Sequence, residues 1–558
     1  MSRAAESTSV NVVRARTADY HRATVLAFIL CGLLTLTGLL VPPSLGQDPS
    51  QGVMEWRTLV AGGPINSIIE PDPADISRDR ATLVTWWSPG QYLMPGIFTL
   101  LGIRLGTAFT ITVGVSLLSC LLGWIQVAKH FALSPRTATL AVLFIATFRY
   151  STIPFGIYNG GEILLQGITP WLILAGCAVP SMGAAWAAVL ACLAVWIAFF
   201  AKLTGVMVAS AVLLAAGVEA LVRLRRITAG MVGGAVGAIL AFGSLYVGWF
   251  SRGTTPASGT GWSFRFGDVF FPLAAPWGAG ISWGDMLAAL LRRSVLHGEV
   301  ATFDATPITG GNPSAIVWFL LPPVLVFATV ILKGWHLRAN DANLGRLLMI
   351  TACFYTVCAL AMSAIYLKGG DVNFEDRHLR AAGTLIFVCV LAVVGRLPQK
   401  SVYRFTVGIF CVFMALYGGI SLAYRAWSTK QGEIDRYSRT RQPIVDRQAI
   451  EFAKVAFARE GRDSVFVLPS AEIACVFPPG ARILSNLIEK ESEATTSART
   501  YRGKVRGRLY VIMPTRIAQS AKGTLLLKEF IDYPLDAWER HSFGSSTVFV
   551  QGGTGALN

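Results

Sequence analysis

The chain has 558 residues, of which 53% are hydrophobic and only 14% are charged, and its formal net charge at pH 7 is +16. Soluble proteins are far less apolar, so this composition excludes a purely soluble protein, and 55 glycines suit close packing between membrane helices. The positive charge is spread through short loops, where it sets membrane topology and favours anionic lipids rather than a nucleic-acid partner. The composition therefore predicts a polytopic membrane protein.

About eleven apolar runs are long enough to form membrane-spanning helices, because about 20 helical residues cross about 30 Å of hydrocarbon. The first, Val25–Pro43, follows three arginines and lacks the small-residue cleavage site of a signal peptide, so we expect an uncleaved helix. The other runs lie near 105–128, 138–155, 162–180, 184–200, 204–222, 228–250, 314–332, 346–367, 379–395 and 403–424.

Basic residues occur in alternate loops, and these loops fall on the same side as the amino terminus. They contain Lys129 and Arg136; Arg223, Arg225 and Arg226; Lys333, Arg338 and Arg346; and Arg396, Lys400 and Arg404. The positive-inside rule therefore predicts a cytoplasmic amino terminus and an extracytoplasmic carboxyl terminus. The chain has no Asn-x-Ser/Thr glycosylation site and no retention signal, and we expect it in the inner (cytoplasmic) membrane of a cell. We expect a cytoplasmic tail at 1–22, a membrane domain at 23–425 with outer loops 44–104, 251–313 and 368–378, and an outer domain at 426–558.

The outer domain has the pattern of a small α/β fold. An amphipathic helix is predicted over Ile444–Ala458, followed by short β-rich segments at 465–468, 481–484, 509–513 and 547–550. A basic segment, 499–508, would hold an anionic acceptor or lipid headgroups, or is simply a solvated loop.

The centre of the predicted bundle carries few reactive side chains. Glu162, Lys202 and Arg149 fall at outer ends of helices and Glu219 at an inner end, whereas a secondary transporter usually carries ionisable groups at mid-membrane. Function is therefore expected on the outer face.

The first outer loop is rich in charged residues and ends in TWWSPGQYLMPG (85–96), which suits a helix lying along the membrane interface and then bending inwards. A solvated loop is the simplest account of most of its carboxylates. Asp48 is different, because it follows the first span directly and would meet a substrate whose lipid tail stays in the bilayer.

A second charged stretch, FEDRHLRAAG (374–383), lies where the chain re-enters the membrane from outside. Arg377 and Arg380 would lie near one face of a first helical turn, and guanidinium groups bind phosphate oxygens in pairs. The alternative is that these charges pair with one another, Asp376 with Arg380 for example.

Taken in order, four motifs resemble the GT-C membrane glycosyltransferases, the polyprenyl-phosphate-sugar enzymes similar to protein O-mannosyltransferases and lipid A aminoarabinose transferases. They are LGQDPSQGVMEW with Asp48, WWSPGQYLMPG, GGEILLQ with Glu162, and EDRHLRAAG. The late motif often has an aromatic residue after Asp/Glu-Arg, where this chain has His378. The resemblance covers about residues 45–425 and implies a mainly α, GT-C-like bundle with an outer α/β domain.

The resemblance also implies roles for particular residues. Asp48 would be the general base that takes a proton from the acceptor hydroxyl. Arg377, with Arg380 or Lys202, would hold the donor phosphate. Glu162, Asp72, Asp75 and His378 are candidates for orienting the acceptor or a divalent cation, and metal dependence stays open because it varies among these enzymes.

Three functions are compatible with these observations. The sequence favours transfer of a sugar from a polyprenyl phosphate to a lipid, glycan or protein acceptor on the outer side. A transporter or flippase of lipid-linked saccharides would use a similar bundle, and a noncatalytic scaffold would use the outer domain to bind a partner. The unreactive midplane and the absence of a recognisable inverted repeat argue against transport.

Overall fold

The computed structural model describes residues 2–252, 262, 264–286, 313–369, 375–427, 434–442, 445–485 and 500–552. A helical membrane domain is followed by a smaller domain built on a β-sheet. The helices of the membrane domain are α1 (Ser2–Leu40), α2 (Gln47–Val60), α3 (Gly90–Leu100), α4 (Leu105–His130), α5 (Pro135–Thr147), α6 (Arg149–Thr152), α7 (Gly161–Ala178), α8 (Ala184–Ala201), α9 (Gly205–Leu224), α10 (Ala229–Gly248), α11 (Phe266–Ala279), α12 (Pro313–Leu337), α13 (Ala342–Leu367), α14 (Arg380–Arg396) and α15 (Val402–Trp427).

Among the described residues, nine helices are long and apolar enough to cross a membrane. A tenth segment is bent by 62° between Pro135–Thr147 and Arg149–Phe155. Helix α14 is also apolar but only 17 residues long, and most of its residues are buried. Each of these segments coincides with one of the apolar runs in the sequence, so the chain is a mainly α, multi-pass helix bundle.

Small residues allow the helices of the bundle to pack closely. Gly233 and Gly237 of α10 face the backbone of α8, where an added Cβ would lie about 2 Å from the carbonyl oxygens of Ala184 and Ala188. A larger side chain at either glycine would push the two helices apart, which explains part of the high glycine content.

The first outer loop is folded rather than extended. Helix α2 is followed by an antiparallel hairpin of β2 (Ser67–Asp72) and β3 (Asp75–Leu83), and α3 then leads into the bundle. The short strands β1 (Ser44–Leu45) and β4 (Ile157–Tyr158) pair in parallel beside α2. The interfacial helix predicted near TWWSPGQYLMPG corresponds to α3.

The C-terminal domain is an α/β fold around a five-stranded mixed sheet of order β6-β5-β7-β9-β8. Its elements are α16 (Arg447–Glu460), β5 (Val465–Leu468), β6 (Arg482–Ser485), β7 (Arg508–Pro514), α17 (Thr515–Ala518), α18 (Ala521–Lys528), β8 (Glu539–Phe543) and β9 (Ser546–Gly552). Four of the strands match the predicted β-rich segments. Strand β8 was missed because ERHSF is a polar, largely exposed edge strand without an apolar pattern.

One arginine ties this domain to the first outer loop. Arg57 of α2 is 7% exposed and donates hydrogen bonds to the main-chain oxygens of Ala474, Phe477, Pro478 and Ala481. The hairpin is joined to the same domain by a bond from the Ile76 amide to the Arg502 carbonyl, 2.8 Å long. The first outer loop and the C-terminal domain therefore lie on one side of the bundle.

Candidate active site

Five charged side chains from four parts of the chain meet at the end of the bundle that faces this domain. Arg377 Nη1 donates to Asp48 Oδ2 at 2.6 Å and to Glu162 Oε1 at 3.2 Å, and its Nε forms an ion pair with Glu375. Lys202 Nζ donates to the same Glu162 oxygen at 2.6 Å. Two cations are thus shared among three carboxylates, and we call these five residues the ion cluster.

The pairing of β1 with β4 brings Asp48 and Glu162 together. Beyond Leu45 and Tyr158, the Gly46 amide donates to the Tyr158 carbonyl at 3.0 Å, and each strand then leads into a helix. Asp48 is in the first turn of α2 and Glu162 in the first turn of α7. Both carboxylates therefore lie at helix amino termini, where the helix dipole favours negative charge.

Two glycines make this approach possible. Gly160 has φ of +63°, a conformation that other residues rarely adopt, and it forms the N-cap of α7. At Gly161, an added Cβ would lie 2.6 Å from the carbonyl oxygen of Ala201. The motif GGE therefore lets α7 begin directly against the end of α8, which places Glu162 beside Lys202.

Arg377 is held in a 3-10 turn, Asp376–His378, just before α14. Burial disfavours its charge, but Glu162, Asp48 and Glu375 outweigh this effect and raise the pKa of the guanidinium above its ordinary value. The cation is therefore fixed, and it links the two helix amino termini.

Asp48 is the most exposed member of the ion cluster. The side chains of Glu162 and Lys202 are 10% and 14% exposed, whereas those of Arg377 and Asp48 are 20% and 30% exposed. On the membrane side of Glu162 lies a cavity of about 20 Å³. This volume suits about one water molecule, so a sugar phosphate would have to approach from the exposed side, where Asp48 lies.

Arg380 faces a second, more deeply buried group of charges. Its Nη2 lies 3.5 Å from Asp376 Oδ1 and 3.7 Å from Asp285 Oδ2, and the same Asp285 oxygen is 3.8 Å from Arg149 Nη1. Burial, followed by the negative charges of Asp285 and Glu375, raises the pKa of Asp376. The alternative pairing of Asp376 with Arg380 is therefore present in the structure, although Arg380 also lines the 20 Å³ cavity.

His378 follows Arg377 and lies near Glu375 of the ion cluster. Its Nε2 is 4.0 Å from Glu375 Oε2, and the imidazole side chain is 11% exposed. Burial, followed by the positive charges of Lys202, Arg377 and Arg380, lowers the pKa of His378 well below its ordinary value. His378 is therefore a neutral group beside the ion cluster.

Asp72 and Asp75 are not brought to the ion cluster. They flank the turn between β2 and β3, where Asp72 accepts a hydrogen bond from the Ala74 amide and Asp75 accepts two from Ser77. These contacts cap a turn that packs on the C-terminal domain. The structure thus separates two of the predicted orienting residues from the other members of the predicted site.

Sequence reasoning missed Glu375 and Asp285 as members of these charge groups. Glu375 was visible within FEDRHLRAAG, whereas Asp285 lies at the start of DMLAALLRRSVLH (285–297), which has the pattern of an amphipathic helix. Residues 287–297 of that stretch lie outside the described residues, as does Arg499 of the basic segment.

Divalent cations prefer carboxylate oxygens, and a group of such ligands would be needed to hold a metal ion. Within the part of the chain that the structure describes, no three His, Cys, Asp or Glu side chains are grouped so as to hold a metal ion. In the ion cluster the oxygens of Asp48 and Glu162 are bridged by Arg377 instead.

No family model matches the chain, and no curated protein matches it in sequence. Solved structures do match. The crystal structure of ArnT from Cupriavidus metallidurans bound to undecaprenyl phosphate aligns over 94% of this chain and 97% of that chain, with a TM-score of 0.52 and 10% identity. The cryo-EM structure of the arabinofuranosyltransferase AftD from Mycobacteria aligns over 96% of this chain, with a TM-score of 0.47 and 12% identity.

The two alignments differ in how much of the neighbour they include. This chain spans 40% of the AftD chain but nearly all of the ArnT chain. At 10% identity the likeness to ArnT is one of fold, and its coverage includes both the helix bundle and the C-terminal domain. The chain therefore has the GT-C fold expected from its motifs.

Proposed function

We propose that this protein is a membrane glycosyltransferase that moves a sugar from a polyprenyl phosphate to an acceptor hydroxyl on the outer side of the membrane. The observation that carries the proposal is the ion cluster, in which one guanidinium lies 2.6 Å from Asp48 and 3.2 Å from Glu162 at the end of the bundle. The likeness to ArnT, whose structure contains undecaprenyl phosphate, supports the lipid carrier.

The donor phosphate would compete with Asp48 for Arg377. Both are anionic oxygen ligands for a guanidinium, and the cluster already contains three carboxylates for two cations. An incoming phosphodiester would take the more exposed face of Arg377 and displace Asp48, the most exposed of the paired carboxylates. Donor binding would thus free Asp48 to accept a proton, while Glu162 and Glu375 keep Arg377 in place.

The chemical step then needs one proton transfer and one bond exchange. The acceptor oxygen attacks the anomeric carbon, its proton passes to Asp48, and the bond between that carbon and the phosphate oxygen breaks. The electron pair stays on the departing polyprenyl phosphate, whose charge Arg377 stabilises, with Lys202 behind it. Glu162 holds both cations, which makes it a positioning residue.

The position of Asp48 indicates the side from which the acceptor arrives. Asp48 belongs to the first outer loop, so a lipid, glycan or protein hydroxyl would reach it from the outer side. We place the protein in the cytoplasmic membrane with its amino terminus inside, because the basic loops predict that orientation.

A reconstituted system distinguishes transfer from transport. Purified protein in liposomes would be given a panel of radiolabelled polyprenyl-phosphate sugars and a membrane extract as the source of acceptors. We expect a labelled product together with release of polyprenyl phosphate. Movement of labelled lipid between the leaflets with no product from any donor would instead support a transporter.

A further inference from the structure

A second cavity lies between the first outer loop and the C-terminal domain. It has a volume of about 340 Å³, and the residues that line it include Arg57, Asp79, Arg80, Arg462 and Arg482. Pockets of about 300–1,000 Å³ are usual for small-molecule sites. We call this space the outer cavity.

The walls of the outer cavity are fixed before any ligand binds. Arg57 joins α2 to the Ala474–Ala481 segment through the main-chain oxygens named above. Arg482, next to Ala481, donates to Asp79 Oδ1 at 2.8 Å and to the Ile76 carbonyl at 2.8 Å, which joins the same segment to the hairpin. Buried hydrogen bonds from Arg57 and more exposed ones from Arg482 therefore hold the three parts of the chain together, and binding would need little rearrangement.

The lining of the outer cavity is strongly positive. Four of the residues around it are arginines and one, Asp79, is acidic. Arg80 pairs with Glu70 at 3.1 Å, Arg482 pairs with Asp79, and the buried Arg57 has main-chain partners. Arg462 is exposed, and it has no hydrogen bond or ion pair within the described residues. The cavity thus combines excess positive charge with a guanidinium available to a ligand.

The position of the outer cavity separates it from the ion cluster. Arg57 follows Asp48 by nine residues on α2, which places it about 14 Å further along the helix and on the opposite face. Within the described residues, no membrane-spanning helix contributes to the lining. A bilayer lipid is therefore a poorer fit than a ligand that approaches from the aqueous side.

We propose that the outer cavity binds an acidic saccharide, through carboxylate or phosphate groups, and so holds a part of the acceptor that is remote from the reacting hydroxyl. The role of the bound saccharide as an acceptor rests on the proposed function, but its binding does not depend on sugar transfer. Arg462 and Arg80 are its principal anion ligands, because they are the more accessible arginines and guanidinium groups match both anions.

The test is equilibrium binding to the full-length protein in phosphatidylcholine nanodiscs, measured by calorimetry. The probes are tetragalacturonate, a phosphomannan oligosaccharide, the neutral maltotetraose and inorganic phosphate. We expect at least one acidic saccharide to bind, with maltotetraose far weaker. Arg462→Gln and Arg80→Gln should each weaken that binding about tenfold or more, since each removes a charged hydrogen-bonding group.

Two variants serve as controls. Arg540→Gln removes an exposed arginine from β8, at the opposite edge of the sheet from β6, and should leave saccharide binding unchanged. Asp48→Asn should also leave saccharide binding unchanged, because Asp48 does not line the outer cavity. Saccharide binding can therefore be judged even if this variant transfers no sugar.

Four results would overturn the proposal. They are no binding of either acidic saccharide, wild-type affinity in both Arg462→Gln and Arg80→Gln, binding of maltotetraose as tight as that of the acidic saccharides, or binding of inorganic phosphate as tight as that of the saccharides. Displacement of the saccharide when phosphatidylglycerol replaces phosphatidylcholine in the nanodisc would assign the cavity to a lipid headgroup instead.

Discussion

Replacement of Arg377 tests the central cation of the ion cluster. Arg377→Met keeps the approximate length of the side chain but removes its charge, so that Asp48, Glu162 and Glu375 are left with Lys202 as their nearby cation. The donor phosphate would then lose its principal ligand. We expect slower sugar transfer and weaker donor binding together.

The size of the effect follows from the contacts. Removing one partner of a fully buried ion pair costs about 3–5 kcal/mol. Arg377 and Asp48 are 20% and 30% exposed, so solvent screening reduces the expected loss in transition-state binding to about 2–4 kcal/mol. That range corresponds to about a 30- to 1,000-fold fall in kcat/KM. Arg377→Lys keeps the charge but lacks the branched guanidinium that reaches three carboxylates, so its kcat/KM should fall about tenfold.

The assay is the initial rate of labelled product formation in liposomes, at several donor concentrations. Arg78→Met is the matched control, because Arg78 is 83% exposed on the outer hairpin and should transfer at the wild-type rate. Equal thermal unfolding temperatures would show that each variant is folded. The reasoning fails if folded Arg377→Met transfers within about threefold of wild type, or if Arg377→Lys is as slow as Arg377→Met.

Three further substitutions have defined outcomes. Lys202→Met should weaken donor binding and slow transfer about 10- to 100-fold, since Glu162 then depends on Arg377 alone; unchanged kinetics would exclude a role for the ammonium group. Glu55 is buried without a hydrogen-bond partner in the described residues, and burial raises its pKa well above the ordinary value. The folded state therefore keeps a proton that the unfolded state loses, stability falls as the pH rises, and Glu55→Gln should raise the unfolding temperature more at about pH 8 than at about pH 5. The pKa of Asp376 is raised for the same reason, so Asp376→Asn should also reduce the loss of stability with pH; an equal shift at both pH values would contradict either prediction.

The helix bundle could be predicted because its signal is local. Each span is an apolar run of suitable length, and the loops between spans carry the charge asymmetry that sets orientation. The four predicted strands of the C-terminal domain have the same local character. Strand β8 and the hairpin of β2 and β3 lack it, because β3 and β8 are polar and largely exposed and β2 contains a proline.

The site could be predicted only as a set of candidates. Arg377 and Asp48 are 329 residues apart in the chain. Asp48 meets Glu162, the other helix-terminal partner of Arg377, because two strands of two residues each pair just before α2 and α7. Such short strands have no sequence periodicity. For the same reason the sequence grouped Asp72 and Asp75 with Asp48. All three lie in one acidic loop, but the hairpin places Asp72 and Asp75 against the C-terminal domain.

The most direct test of sugar transfer by this cluster is a comparison of Asp48→Asn with wild type, in which donor binding and product formation are measured on the same samples. The neutral amide cannot accept the proton but leaves Arg377 free for phosphate. We expect donor binding at least as tight as in wild type and transfer reduced about a hundredfold or more, the scale of a lost general base. Transfer at the wild-type rate in a folded Asp48→Asn protein would contradict the account.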